Sequence, residues 1–480
     1  MTTSGEERED ARAPIEPRGR RGRASLRRLA IEATSNAAET GVFIDEAIAP
    51  HLETLEPRDR HLLQEITYGA VRHRSTLDAI IEHHVKFPVA RQKPLVAAAL
   101  RTGAYQLVYL QRVPQHAAVD QTVEGLKSSR GADGGAPGFV NAVLHKVASM
   151  VRRKSSEPPL ERDDPTVLPI RGGFCHLDRP ILPLIRLDLC AHLALKHSEP
   201  GWLVERWLER FGEEETRLLC EAQNRVPPLT ARVTARAPSR DALMVALAAD
   251  GLSAVPGALE DSIVLRSGGD LAKCRAIVDG WMQIQDETSI RIGAALAPPP
   301  GARALDLCAA PGGKALQLLE AVGPSGELVA ADRGESRLAL LRQTLERGGS
   351  NFTTAIVPEN PDQVDFGGRF SHVLIDAPCS NTGVLARRPE ARWRLQRADL
   401  DALAALQSRL LEAALRHVAP GGRLVYSTCS IEPEENENIV ARAFERHPGL
   451  VELDTQLFLP HRRKSADGGY FSLILTPRPS

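Results

Sequence analysis

What the sequence lacks narrows its reading first. No stretch approaches the ~18 consecutive apolar residues of a membrane span, and the polar, Arg-rich amino-terminal segment has no signal-peptide apolar core. A cytoplasmic setting is therefore expected. There is no excess of either charge: 60 Lys and Arg face 61 Asp and Glu, a formal net charge of -1, so a nucleic-acid partner would have to be held by local basic patches. Cysteine is scarce, seven in 480 residues, and no Cys-x-x-Cys pair occurs, which argues against a disulfide framework or a zinc site and predicts reduced thiols and no metal. The Walker spacing Gly-x-x-x-x-Gly-Lys-Ser/Thr is also missing, which argues against a nucleoside triphosphate site. What is present, 42% apolar and 25% charged residues, is an ordinary soluble composition with room for roughly two or three domains.

Along the chain the pattern changes several times. Residues 1–24 mix Glu, Arg, Pro and Gly and are expected to be a disordered basic tail, with Arg18, Arg20, Arg21, Arg23, Arg27 and Arg28 as candidate phosphate contacts. From 25 to 153 the apolar spacing is helical and strand signals are absent; Leu95–Leu100 and Tyr105–Leu110 read as buried faces. Prolines at 158, 159, 165, 169, 180 and 183 leave no room for a long regular element, so 154–190 is expected to be a linker or an extended insertion. Residues 191–290 read as a small α+β subdomain, with a helix around Trp202–Cys220, strands at Leu229–Thr234 and Ser262–Arg266, and a helix between them. From 291 to 480 strands and helices alternate: Arg303–Leu307, Glu327–Asp332, Thr353–Val357, His372–Asp376, Arg423–Ser427 and Tyr470–Thr476 are strand candidates. That predicts a mostly parallel sheet covered by helices, with a ligand beyond the carboxyl ends of the strands.

Three strand-end segments carry the chemistry. Asp306-Leu-Cys-Ala-Ala-Pro-Gly-Gly-Lys314 follows a strand and opens a helix, where glycines permit close backbone approach and amides point at a ligand. Asp332, after the next strand, is placed to accept from ribose hydroxyls. Asp376-Ala-Pro-Cys379 and Ser427-Thr-Cys-Ser430 end later strands of the same sheet. A lone cysteine in such a turn is usually a small buried hydrophobe; two of them converging on one cofactor loop predict that one thiol attacks while the other helps the product leave. Between them, Arg387-Arg-Pro-Glu-Ala-Arg-Trp-Arg394 is a basic run whose guanidinium groups suit phosphates and whose Trp393 suits either a stacked base or a loop anchor.

These motifs resemble those of the RNA cytosine-5 methyltransferases of the nucleolar-protein/Sun family, and the helical half, through Glu65–Val71, Arg101–Gln106, Arg112–Ala117 and Gly138–Val143, resembles the NusB-like RNA-binding domain of the B-type bacterial small-subunit (16S) rRNA members. The resemblance implies a multidomain chain: an all-α NusB-like bundle, a small α+β RNA-binding subdomain and an α/β Rossmann-like class I methyltransferase domain. It implies S-adenosyl-L-methionine as cofactor, held by Cys308, Ala309, Ala310, Pro311, Gly312, Gly313, Lys314, Asp332, Glu359 and Asp376. Pro358-Glu359 stands where the family commonly has Gly-Asp, and Asn381 where it commonly has a small residue. The implied catalytic residues are Cys429, the thiolate that adds to carbon 6 of cytosine, Asp376, which hydrogen-bonds the base near N3 and its amine, and Cys379, which assists loss of the carbon 5 proton and release. The implied partner is small-subunit rRNA, bound by a monomer, with the target cytosine in a loop or flipped out. A tRNA or large-subunit rRNA substrate, and a non-catalytic RNA-binding assembly factor, are the alternatives.

Overall fold

In a computed structural model of the chain, residues 25–268, 271, 274–349, 351–358, 361, 364–462 and 466–478 are described. The expected basic tail over 1–24 and the expected cofactor residue Glu359 lie outside the described residues. The amino-terminal part is a bundle of α1 (Leu26–Thr40), α2 (Ile44–Leu52), α3 (Pro57–Arg72), α4 (Arg74–Glu82), α5 (Pro94–Tyr109), α6 (Gln115–Ser128) and α7 (Ala136–Met150). Helix α5 is its axis: every residue from Val96 to Tyr109 is buried, as expected of a helix apolar on nearly all sides. Its one buried cation, Arg101, is matched by a two-pronged pair with Asp78 at 2.7 and 2.8 Å.

Residues 154–190 are not a linker. β1 (Val151–Ser155), β2 (Val167–Ile170) and β3 (Gly173–Leu177) form an antiparallel sheet in the order β1-β3-β2. Leu168, Ile170, Cys175 and Leu177 bury themselves in the core of the helical bundle. At roughly 1.5–3 kcal/mol for each fully buried large apolar side chain, that contact makes the sheet part of the helical domain. The prolines that argued against regular structure sit where strands tolerate them: Pro169 is on edge strand β2, and Pro158, Pro159 and Pro165 precede it.

The next segment opens with α8 (Leu189–His197) and α9 (Gly201–Asn224), α9 broken at Gly212, whose φ is 78°. These two helices pack against Leu385, Ala391, Ile431 and Leu459 and so buttress the loops of the last domain. β4 (Leu229–Val233), α10 (Arg240–Ala249), β5 (Leu252–Pro256), β6 (Ser262–Gly268), α11 (Arg275–Val278) and β7 (Met282–Ile284) follow as a four-stranded antiparallel sheet, β5-β6-β4-β7, with helices.

The last domain comprises α12 (Glu287–Leu296), β8 (Arg303–Asp306), α13 (Gly313–Val322), β9 (Glu327–Asp332), α14 (Glu335–Leu345), β10 (Phe352–Ile356), β11 (Phe370–Asp376), α15 (Ala391–Arg394), α16 (Arg397–His417), β12 (Val418–Thr428), α17 (Glu437–Arg446), β13 (Val451–Phe458) and β14 (Gly469–Leu475). Its sheet runs β10-β9-β8-β11-β12-β14-β13; the first five strands are parallel, while β14 is antiparallel to both β12 and β13. The chain winds outward from β8 to β10, then returns to lay β11 on the other side of β8, so a crevice opens beyond the carboxyl ends of β8 and β11. All three motif segments leave the sheet at that end.

Candidate active site

The first loop turns directly out of β8. Gly312 has φ 114°, and a Cβ there would come within 2.9 Å of the Thr344 side chain, so glycine is needed both for the turn and for the close approach of α14. Ala309 N–H donates to the Ala331 carbonyl at 2.9 Å and Ala310 N–H to Asp332 Oδ2 at 2.8 Å, which stitches the loop to the end of β9. Lys314, in the first turn of α13, reaches across to β11 and donates to Asp376 Oδ2 at 2.6 Å; Ser427 on β12 donates to Asp376 Oδ1 at 2.9 Å. Burial by itself would lower the Lys314 ammonium, but the Asp376 charge and hydrogen bond, with Asp306 nearby, hold it above its ordinary range.

Asp306, the first residue of that motif, is the most unusual group of the site. It is buried, and neither carboxylate oxygen has a partner in hydrogen-bonding geometry, the nearby Cys308 amide offsetting only part of that cost. Burial, with the Asp376 charge beside it, pushes its carboxyl up to about 8. Burial likewise raises the Cys308 thiol, followed by the Asp306 charge. Asp332, expected to face ribose hydroxyls, is 4% exposed and engaged by the amides of Ala310 and Arg333 and by the Arg337 guanidinium. A cradle of three carboxylates, a lysine and a helix amino terminus fits S-adenosylmethionine, which carries a sulfonium, an ammonium and a carboxylate.

The two expected cysteines meet. Cys379 Sγ and Cys429 Sγ are 2.9 Å apart, both side chains partly exposed, and all seven cysteines are free thiols. The hydrogen bond to Cys429, then burial, push the Cys379 thiol well above its ordinary range, so Cys379 keeps its proton in the resting site. The loops that carry them are locked together. Gly383 N–H donates to the Cys429 carbonyl at 2.9 Å, and a Cβ on Gly383 would strike that same oxygen at 2.8 Å. Buried Glu435 accepts from Ser380 N–H at 2.9 Å, from Ser380 Oγ, and from Gln407 Nε2 at 3.0 Å, while Gln407 also donates to the Pro378 carbonyl at 2.9 Å. The trace of Glu435 in the sequence is an acid-rich run, Glu432-Pro-Glu-Glu-Asn-Glu437, directly behind the second cysteine motif.

The basic run 387–394 does something other than face phosphates. Arg387 pairs with Asp286 and Asp467, Arg388 with Asp45, and Arg394 donates to the Val42 carbonyl. Fully buried Arg392 lies 3.0 Å from Glu199 and aims its N–H groups at Ser198 O, Gln223 O and Asn224 Oδ1, each at 3.1 Å. Burial pushes the Glu199 carboxyl up to about 7 against the pull of Arg392. Trp393 is the loop anchor: its Nε1 donates to the Val71 carbonyl at 2.7 Å, with Arg74 over the ring. These guanidinium groups bind the helical domain, α8–α9 and the catalytic loop to one another. Arg27 and Arg28, from the other expected phosphate cluster, bond Gln106 and Glu32.

A sheet parallel except for the reversed strand β14, a glycine-rich first loop and carboxylates at successive strand ends define a Rossmann-like methyltransferase fold, here joined to a helical bundle and a small α+β subdomain. Family models match in three places: 16S rRNA methyltransferase RsmB/F over residues 293–477, the NusB family over 24–149, and the RsmF/B-like ferredoxin-like domain over 199–272. Ribosomal RNA small subunit methyltransferase B of Vibrio cholerae is 31% identical over 459 residues, 94% of this chain and 97% of that one; its counterpart in Salmonella paratyphi B is 32% identical over 433 residues, 90% and 92%. The chain belongs to the RsmB/F family of 16S rRNA methyltransferases. Among solved structures, that of PH0851 superposes with a TM-score of 0.75 at 24% identity, covering 94% of this chain and 98% of the other, and so shares the fold; a methyltransferase homolog from Pyrococcus horikoshii gives 0.54 at 25% identity, covering 60% and 99%. Among the described residues no helix is long and apolar enough to cross a membrane and no group of His, Cys, Asp and Glu is arranged to hold a metal ion.

Proposed function

We propose that this rRNA methyltransferase transfers a methyl group to carbon 5 of one cytosine in small-subunit rRNA through a covalent adduct on Cys429. The observation that carries the reading is the pair of free thiols 2.9 Å apart at the mouth of the cofactor crevice. The cofactor is S-adenosylmethionine, which supplies a methyl group made electrophilic by a sulfonium. Residues 308–314, Asp332 and Asp376 hold it, with Asp306 beneath.

Carbon 5 of cytosine is a weak nucleophile. When the Cys429 thiolate bonds to carbon 6, the ring becomes an enamine and carbon 5 gains the electron density it needs. Asp376, fixed by Lys314 and Ser427, accepts from the base and orients it. After carbon 5 has its methyl group, the carbon 5 proton must go to a base and the carbon 6–sulfur bond must break, expelling Cys429. Cys379 takes that proton as a thiolate, after giving up its own proton to solvent: once Cys429 is bonded to carbon, the largest of the causes that pushed the Cys379 thiol up is gone, with burial remaining. The RNA backbone is met away from the run 387–394, in a cleft of about 1420 Å³ between α3, α5, β3 and the small subdomain, where Arg266 is among the lining residues and the exposed Arg171 and Arg225 make only long ion pairs, to Glu65 at 3.9 Å and Glu221 at 3.7 Å.

The test is incubation with unmodified small-subunit rRNA and methyl-labelled cofactor, followed by nucleoside analysis. Label in 5-methylcytosine is expected. Label in another nucleoside overturns the chemistry, and label only in tRNA or large-subunit rRNA overturns the substrate.

A further inference from the structure

Asn381, two residues beyond Cys379, adopts the left-handed backbone conformation with φ 65°, which among residues with a Cβ is easiest for Asn and Asp. The turn is held by the Val384 N–H bonding to the Asn381 carbonyl at 3.0 Å. This conformation brings the carboxamide back over both cysteines: Nδ2 donates to the Cys379 backbone carbonyl at 3.0 Å, and Oδ1 lies 3.3 Å from Cys429 Sγ.

Elementary donor and acceptor chemistry then fixes every proton in the cluster. A backbone carbonyl only accepts, so the amide nitrogen must face Cys379 O and the amide oxygen must face Cys429. An amide oxygen only accepts, so Cys429 S–H must be the donor. Because that proton is committed to Asn381, the 2.9 Å contact between the sulfurs has to be donated by Cys379. The order is Cys379 S–H to Cys429 Sγ, and Cys429 S–H to Asn381 Oδ1.

We infer that Asn381 is a positioning residue: its carboxamide fixes the rotamer of the nucleophilic Cys429 and the direction of the thiol–thiol hydrogen bond, so that Cys379 already donates to the sulfur that will carry charge. The inference rests on Cys429 being the nucleophile. It assigns Asn381 no contact with cofactor or RNA.

Asn381→Gly is the informative variant, since glycine accepts the left-handed backbone and deletes only the carboxamide. Losing one positioning hydrogen bond, typically worth about 1 kcal/mol, should slow formation of the gel-stable protein–RNA adduct about fivefold when Cys379→Ala is compared with Cys379→Ala/Asn381→Gly. Steady-state kcat of the single Asn381→Gly variant should fall about as much, with KM for RNA and for cofactor unchanged. Asn381→Asp keeps the turn and the acceptor but sets a carboxylate against the Cys379 carbonyl, and should not rescue the rate. An unchanged adduct rate in the glycine variant, or a loss confined to KM, overturns the proposal. Adduct that still forms in Cys429→Ala instead overturns the reading beneath it, so the two failures are distinguishable.

Discussion

Within one loop, Cys379–Asn381 and Arg387–Arg394 turn their polar atoms to different tasks, the first to a thiol pair at the crevice and the second to other segments of the chain. The cysteine end meets a crevice where Asp306 has no hydrogen-bond partner and two thiols lie free and partly exposed. Eight residues on, the guanidinium groups of Arg387, Arg388, Arg392 and Arg394 are all engaged by carboxylates or carbonyls of other segments. The Asp306 carboxyl beside that end is the costly group, because a buried polar atom left without a partner costs about 1–3 kcal/mol and persists only where something else compensates. At the second end each of these guanidinium groups has a partner in another segment, which is what an interior joint requires, although Arg392 Nε and Glu390 Oε2 are left without one. The same distinction separates a basic run that binds RNA from one that binds its own chain, and the residue types alone do not reveal it.

The comparison can be broken most directly at its reactive end. Cys429→Ala should reduce methylation by at least about 10⁴-fold, the scale of losing a covalent nucleophile, with thermal stability nearly unchanged. Next, Arg392→Ala leaves the Glu199 carboxylate buried without its cation and should destabilise the protein by about 3–5 kcal/mol in urea unfolding; a variant that unfolds normally but no longer binds RNA would make the run an RNA contact after all. Asp306 sharpens the other end through pH. Its folded value of about 8 lies above the ordinary carboxylate range, so the stability it contributes is full below roughly pH 4 and is lost as pH rises toward 8. Asp306→Asn should flatten that decline in unfolding midpoints taken at pH 5 and pH 8.5. In the proposed cofactor site Asp332 exchanges the Arg337 guanidinium for the ribose hydroxyls; with Asp332 buried and Arg337 half-exposed, removing the guanidinium frees that acceptor, so Arg337→Ala should tighten cofactor binding by calorimetry. The smallest effect belongs to Arg388→Ala, an exposed pair with Asp45, which should change stability by less than about 1 kcal/mol and RNA affinity hardly at all.

Legibility in the sequence followed how local the determinant is. The loops after β8, β11 and β12 could be placed because glycines, prolines and strand-end aspartates are local signals. That Cys379 and Cys429 meet followed from the rule that ligands gather at the carboxyl ends of parallel strands. Strand β13 was missed although Val451-Glu-Leu-Asp-Thr-Gln-Leu-Phe458 alternates in sequence; as the edge strand it leaves residues 451–456 exposed on both faces, with Glu452 and Asp454 among them. The sheet β1–β3 was missed because its strands are short, and the core that orders them belongs to helices far away in sequence. Glu199, the counter-charge of Arg392, lies nearly two hundred residues before it, and no spacing rule joins the two. Asn381 was legible as an unusual residue; its left-handed backbone, and with it the direction of its amide, was not.

The most direct test of the covalent pathway is a denaturing gel of the Cys379→Ala variant incubated with small-subunit rRNA and S-adenosylmethionine. A protein–RNA band that survives denaturation in Cys379→Ala and vanishes in Cys379→Ala/Cys429→Ala is the expected result. A band that persists without Cys429, or methylated product with no trapped band in Cys379→Ala, would contradict the assignment of attack to Cys429 and release to Cys379.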